Sequence, residues 1–157
     1  GRGKETLEKF PLFAGRKIPY SGRLDYESEG LLIFSNNGEL IQRMQQPEYK
    51  MEKEYMVTVD KPLSQSEMNK FAEGLDTPKG TYKPCSIYFS GKQNYRVIIK
   101  EGKKRQIRNM FGYFGSRVKR LKRVRIGPIE IGDLQAGEYA VLTKQEVKSL
   151  YKAAGLK

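Results

Sequence analysis

Two short β-rich segments joined by a tight turn constrain the fold of this chain more than any other feature. Residues 86–90 and 95–100 have the apolar and aromatic content typical of strands, and Gly91-Lys92-Gln93-Asn94 between them has the composition of a turn. Such a short connection joins antiparallel strands, because parallel neighbours need a crossover of a dozen or more residues. The sequence therefore predicts a sheet that contains antiparallel pairs.

Helices interleave with these strands. Two capping boxes, at Ser64–Glu67 and Thr143–Glu146, predict helix starts, and a stripe of apolar side chains over residues 107–114 predicts a helix that Gly115 ends. Further elements are predicted as strands at residues 31–35, 54–60 and 117–126, a short helix ending before Pro47, and a last helix with Val147, Leu150, Tyr151 and Ala154 inward. We expect an α+β fold with a mixed, largely antiparallel sheet and helices packed on it, in one domain over residues 1–157.

The charge of the chain narrows its choice of partners. Thirty Lys and Arg residues outnumber eighteen Asp and Glu, which gives a net charge of +12 and a pI of about 9.7. This excess favours a polyanion, with binding that weakens as salt increases. A membrane surface is the weaker alternative, no apolar run approaches the length of a bilayer span, and no membrane partner is expected.

The cysteine and histidine content limits the chemistry. The single cysteine, Cys85, cannot form an internal disulfide, which fits a reducing cytoplasm. Without histidine the chain has no Ser-His-Asp triad and no imidazole base, and a zinc site is not expected. Catalysis would have to use carboxylate, tyrosine, lysine, arginine or backbone groups, with no metal.

One segment, residues 100–125, concentrates the positive charge, and we call it the basic stripe. Its only acid is Glu101. Its cations are Lys100, Lys103, Lys104, Arg105, Arg108, Arg117, Lys119, Arg120, Lys122, Arg123 and Arg125. A solvated face would explain an ordinary charge run, but this stripe crosses a predicted helix and strand and has aromatic neighbours. We interpret it as a nucleic-acid surface, and RNA is favoured because no helix-turn-helix or zinc-finger pattern is present.

Three carboxylates precede the apolar run at residues 31–34. Glu27 and Glu29 are expected to be surface residues, each paired with Lys or Arg. Asp25 differs, because a carboxylate at the mouth of a basic cleft can act on a sugar as nucleophile or base. The glycines that flank this segment, including Gly30, allow a close backbone approach or a positive φ.

Three motifs in this order resemble those of RsuA-type pseudouridine synthases. They are Gly22-Arg23-Leu24-Asp25 followed by Ser28-Glu29-Gly30-Leu31-Leu32, then Glu52-Lys53-Glu54-Tyr55, then Glu101-Gly102-Lys103-Lys104-Arg105-Gln106-Ile107-Arg108. The resemblance covers roughly residues 20–151 and implies the synthase catalytic fold. It also implies the activity, in which the N1–C1′ bond of a uridine breaks and C5 joins C1′, without a cofactor.

The resemblance implies a role for each matched residue. Asp25 would attack C1′ or take the 2′ proton, and Tyr55 would stack on the base and take the C5 proton. Arg108 would pair with Asp25 and hold it ionised, and Ile107 would pack under the base. The other predicted RNA contacts are Arg23, Lys53, Arg105, Gln106, Arg117, Lys119, Arg120, Lys122 and Arg123. The expected substrate is a loop or junction uridine in structured RNA, with ribosomal RNA of the large subunit favoured. The enzyme is expected to be a monomer.

The sequence also departs from that family. Relatives begin with a strand that carries Lys-Pro, and many carry an S4-type RNA-binding domain before it, neither of which is evident in residues 1–21. We therefore expect this chain to be a fragment of a longer protein. Asn109 occupies a position where relatives often have a second Arg, and this difference would change the contacts with RNA.

Two other classes of function remain open. A non-catalytic RNA-binding or ribosome-assembly module would share the basic stripe but would have no need of Asp25, Tyr55 and Arg108. A hydrolytic nucleosidase or glycosidase needs two carboxylates about 5–10 Å apart. Glu27 or Glu29 could supply the second, since alternation along an extended segment would place both on the side of Asp25.

Overall fold

The computed structural model describes residues 5–6 and 27–157. Its main element is a six-stranded sheet. The strands lie side by side as β2 (Glu29–Gly30), β8 (Val118–Ile126), β3 (Lys53–Val59), β7 (Asn94–Ile99) and β6 (Ser86–Phe89), and β9 (Ile129–Glu130) also pairs with β8. Only the β2–β8 pair is parallel within this sheet. The predicted mixed, largely antiparallel sheet and its β6–β7 hairpin are confirmed.

Within the described residues, two smaller strand pairs accompany the main sheet. One joins β1 (Glu5–Thr6) to β10 (Glu138–Tyr139), and the other joins β4 (Leu75–Thr77) to β5 (Gly80–Tyr82). The helices are α1 (Gly38–Gln45), α2 (Gln65–Glu73), α3 (Gln106–Tyr113) and α4 (Lys144–Ala153), with a 3₁₀ turn at Pro47–Tyr49. No helix in the described ranges is long and apolar enough to cross a membrane.

The helix ends follow the sequence signals. Ser64 and Thr143 each accept a hydrogen bond from the backbone N–H three residues later, and the glutamate there bonds back to the cap residue. Both predicted capping boxes are therefore confirmed. Gly115 follows α3 with a φ of 78°, a conformation in which glycine is favoured.

The described core has two parts. Helices α2 and α3 pack on one face of the sheet around Phe71, Tyr95 and Phe111, and we call this the α2–α3 core. A second cluster brings α1 and α4 together around Met44 and Leu150. The sheet face toward the α2–α3 core carries Tyr55, one of the predicted catalytic residues.

Two local predictions are wrong. Regular pairing with β8 occurs at Glu29–Gly30 and not along residues 31–35, although Leu31 and Ile33 are buried as expected. The ladder stops because the guanidinium of Arg123 donates to the Leu31 carbonyl from Nε and Nη2, at 3.0 and 2.8 Å. Val147 was predicted to face inward but is 39% exposed.

Candidate active site

Three neighbouring strands bring the segment after Asp25 close to Tyr55. Gly30 pairs with Arg123 of β8, and Arg123 pairs on its other side with Tyr55 of β3. Gly30 has a φ of 123°, and a Cβ there would lie 2.2 Å from the Arg123 carbonyl oxygen. Only glycine fits this contact, so the predicted close approach and positive φ are both confirmed at Gly30. Tyr55 is half-buried against the α2–α3 core.

Arg108 links α3 to this segment. Its Nη2 donates to the Glu27 carbonyl at 2.8 Å, and its Nη1 donates to the Val118 carbonyl at 3.2 Å. The Glu27 carboxylate lies 3.7 Å from Nη1. The Arg108 side chain is 11% exposed, and its buried Nε has no hydrogen-bond partner among the described residues. The guanidinium is fixed at one end and retains one unused donor.

Arg105 approaches the same carboxylate from the start of α3. Its Nη2 lies 3.6 Å from the Glu27 oxygen that Arg108 also faces. Arg105 has a φ of 53°, a left-handed conformation that non-glycine residues seldom adopt. Glu27 is thus a surface carboxylate paired with arginine, as predicted, and it holds two of them.

The loop before α3 is held by two buried polar side chains. Glu101 is 5% exposed, and its Oε2 accepts from the Lys83 amide at 2.7 Å and from Gln106 Nε2 at 3.0 Å. Gln106 Oε1 accepts from the Lys103 amide at 3.2 Å. We call this pair the Glu101–Gln106 clamp. Glu101 is not among the predicted site residues, although its position as the lone acid of the basic stripe is a sequence signal that points to it.

Lys53 lies beside this loop. A Cβ on Gly102 would be 3.7 Å from its Nζ. Burial, and then the charge of Arg123, lower the pKa of Lys53 below its usual value. Within residues 27–157, Lys53 has no carboxylate partner. Its ammonium is available to an anion.

The Glu29 carboxylate is paired with the Arg120 guanidinium. The two side chains form two hydrogen bonds, of 2.6 and 3.2 Å. The hydrogen bond from Arg120 lowers the pKa of Glu29, and the charges of Arg120 and Lys122 lower it further. A glycosidase acid needs a raised pKa to hold its proton at neutral pH, so Glu29 is unsuited to that role. This weighs against the nucleosidase class.

Cys85 is no better a candidate nucleophile. Burial, and then the charge of Glu101, raise the pKa of its thiol to about 12. A thiol needs a depressed pKa to react at neutral pH.

The strand β8 divides the cations of the basic stripe between two faces. Leu121 packs in the α2–α3 core, and alternation therefore places Arg120 and Lys122 on the opposite face. Lys119 and Arg117 are exposed, and neither side chain has a carboxylate partner in the described part of the chain. These exposed side chains are free to contact an anionic partner.

Two predicted RNA contacts are buried instead. Gln106 is 3% exposed and Arg123 is 2% exposed, and their polar atoms bond to Glu101, Lys103 and Leu31. Both side chains are thus engaged by protein groups, and direct contact of either with RNA stays a prediction. Ile107 is 4% exposed within the α2–α3 core. Asp25 and Arg23 lie outside the described residues.

Comparison with known proteins identifies the family. The RNA pseudouridylate synthase family profile matches residues 3–113. An uncharacterized RNA pseudouridine synthase of Aquifex aeolicus is 37% identical over 99% of this chain and 64% of its own length. A crystal structure of a pseudouridylate synthase matches with a TM-score of 0.78 and 30% identity, over 85% of this chain and 60% of that one.

Two relatives with assigned names narrow the group. The ribosomal small subunit pseudouridine synthase A of Yersinia pestis is 36% identical over 85% of this chain and 58% of its own length. The dual-specificity RNA pseudouridine synthase RluF of Escherichia coli is 34% identical over 95% and 51%. The chain therefore belongs to the RNA pseudouridylate synthase family, in the group of RsuA and RluF. It spans less than two thirds of the length of these relatives.

Proposed function

We propose that this chain is the catalytic domain of a ribosomal RNA pseudouridine synthase and that Asp25 is its essential carboxylate. The observation that carries the proposal is the free Nε of Arg108, buried beside a segment that begins two residues after Asp25. An unpaired buried donor of a charged group is costly, so it indicates a missing partner. A carboxylate at that position would satisfy the donor and stay ionised.

Tyr55 and Lys53 would complete the site. They lie two residues apart on β3, so alternation directs both side chains to the same face of the sheet. Tyr55 would stack on the target base and take the C5 proton, and Ile107 would support the base from the α2–α3 core. Lys53 would bind an anionic group of the nucleotide, since its ammonium has no carboxylate beside it in the described ranges.

The exposed cations would hold the flanking RNA. Arg105, Arg117, Lys119, Arg120 and Lys122 are solvent-accessible and suited to phosphate contacts, which fix position without reading sequence. The target uridine must leave its stack to reach Asp25, which favours a loop or junction. Arg23 would hold the flipped nucleotide.

The substrate is proposed as large-subunit ribosomal RNA. This choice follows from the motif resemblance alone, whereas one relative is named for the small subunit and another for dual specificity. The whole protein is proposed to be monomeric and cytoplasmic. It is also proposed to be longer than this chain, because the relatives extend well beyond the matched region. An S4-type domain would then add RNA contacts.

The experiment is tritium release from RNA labelled at uridine C5. Large- and small-subunit RNA are offered separately to the parent chain, to Asp25→Ala, and to Glu48→Ala as a control at an exposed acid. We expect release by the parent and the control and none by Asp25→Ala, with RNA binding retained by all three. Equal release by Asp25→Ala would refute the assignment, and binding without release by any chain would favour the non-catalytic module.

A further inference from the structure

We propose that Glu101 is a positioning residue that sets the start of α3 and thereby aims Arg105 and Arg108 at the segment after Asp25. This inference rests on the proposed function for its catalytic consequence, and on the Glu101–Gln106 clamp for its geometry. Glu101 is a buried charged group whose hydrogen bonds in the described ranges go to Lys83 and Gln106 and not to the segment after Asp25. It would therefore act on that segment through other residues.

The clamp replaces an ordinary helix cap. No side chain caps the N-terminus of α3, where Arg105 stands. Instead, the backbone N–H of Gln106 donates to the Lys103 carbonyl at 3.1 Å, while the side-chain Oε1 of Gln106 accepts from the backbone N–H of Lys103. Glu101 then holds the Gln106 side chain and the Lys83 amide with one oxygen. The helix start is thus tied to β7 and to the strand pair β4–β5 that ends beside Lys83.

The clamp also explains the left-handed Arg105. Such a conformation costs a non-glycine residue about 1–3 kcal/mol and persists only where neighbours over-determine it. Residues on both sides of Arg105 are fixed by hydrogen bonds, through Lys103 and Gln106. The result is that Arg105 and Arg108 reach the same oxygen of Glu27, at 3.6 and 3.7 Å.

Releasing the clamp would move the two arginines without removing either of them. A small displacement of a group beside the reacting atoms can reduce the rate by about 100-fold. RNA affinity would change little, because the exposed cations of the basic stripe remain in place. The clamp therefore affects the catalytic rate constant kcat more than the dissociation constant of RNA.

The test alters each of the two polar side chains in turn. Gln106→Glu places a second carboxylate against Glu101. Glu101→Gln instead keeps an oxygen that can accept from both the Lys83 amide and Gln106 Nε2, so this conservative variant keeps the clamp without its charge. We expect Gln106→Glu to lower kcat by about 10–100-fold with an RNA dissociation constant within about threefold of the parent. We expect Glu101→Gln to lower kcat by less than about threefold.

A second readout does not depend on activity. The ¹H–¹⁵N signal of Arg108 Nε reports the position of the guanidinium, and it should shift in Gln106→Glu and stay near its parent position in Glu101→Gln. If the parent releases no tritium but this signal behaves as described, the proposed function fails and the positioning stands. If kcat and the signal are unchanged in folded Gln106→Glu, or if folded Glu101→Gln moves them as far as Gln106→Glu does, the positioning role is overturned.

Discussion

At the scale of single residues, each arginine near the segment after Asp25 is fixed by a different set of partners. Arg108 is anchored on two backbone carbonyls and lies 3.7 Å from the Glu27 carboxylate, Arg105 faces that carboxylate alone, and Arg120 forms two hydrogen bonds with Glu29. Of these three side chains, Arg108 is the most buried, and its Nε has no hydrogen-bond partner among the described residues. Arg108 is therefore the cation best placed to act on a reacting carboxylate.

Lys53 combines a proposed role in RNA binding with a cost in the stability of the fold. Its ammonium is half-buried beside the cationic Arg123, and both effects lower its pKa. We expect Lys53→Met to raise the free energy of unfolding by about 0.5–1 kcal/mol and to weaken RNA binding. Chemical denaturation and RNA titration of the two chains would measure both effects.

The pH dependence of that stability gain follows from the sign of the shift. The pKa of Lys53 in the folded chain lies below 10.5, so the unfolded chain binds more protons between the two values. The parent therefore gains stability as pH rises through this window, and the advantage of Lys53→Met should shrink toward pH 10.5. A difference in stability that is constant from neutral pH to 10.5 would contradict this explanation.

At the scale of elements, β2 is held on β8 by a short ladder and one ion pair. The pKa of Glu29 is lowered by Arg120, so the pair stabilises the folded chain above pH 4.5 and this contribution is lost as pH falls through the folded pKa. In Arg120→Ala we expect the pKa of Glu29, measured by NMR titration, to rise toward 4.5. An unchanged low pKa would mean that another group holds the carboxylate.

Much of the secondary structure could be predicted because its signals are local. Capping boxes and apolar spacing depend on residues within one or two turns, and they placed α2 and α4 correctly. The strand at residues 31–35 was misplaced because Arg123, distant in sequence, ends the ladder at Leu31. That contact is invisible to any local pattern.

The candidate site was predictable only in part for the same reason. Motif order indicated Tyr55 and Arg108, but the basic stripe gave no sign that Arg123 is buried while Lys119 is exposed. Burial along β8 depends on two irregularities in its pairing with β3, which shift the alternation. The role proposed for Glu101 depends on bonds to Lys83 and Gln106, which only the folded chain brings together.

At the scale of the whole molecule, the net charge of +12 predicts strongly salt-dependent RNA binding. Lys119→Gln removes an exposed cation of the basic stripe, and Lys148→Gln removes one from α4 as a matched control. We expect Lys119→Gln to reduce the slope of log affinity against log salt by about 0.7. Equal effects of the two substitutions would indicate that RNA responds to net charge and not to the stripe.

The most direct test of the account is single-turnover tritium release by Arg108→Lys, with Arg105→Lys as the matched control. Lysine keeps the charge but loses the Nε donor and the planar fork. We predict that Arg108→Lys lowers the rate by at least about 100-fold with little change in RNA affinity, and that Arg105→Lys lowers it by less than about tenfold. If Arg108→Lys instead released tritium at the parent rate, Arg108 would not orient a reacting carboxylate and the proposed site would be wrong.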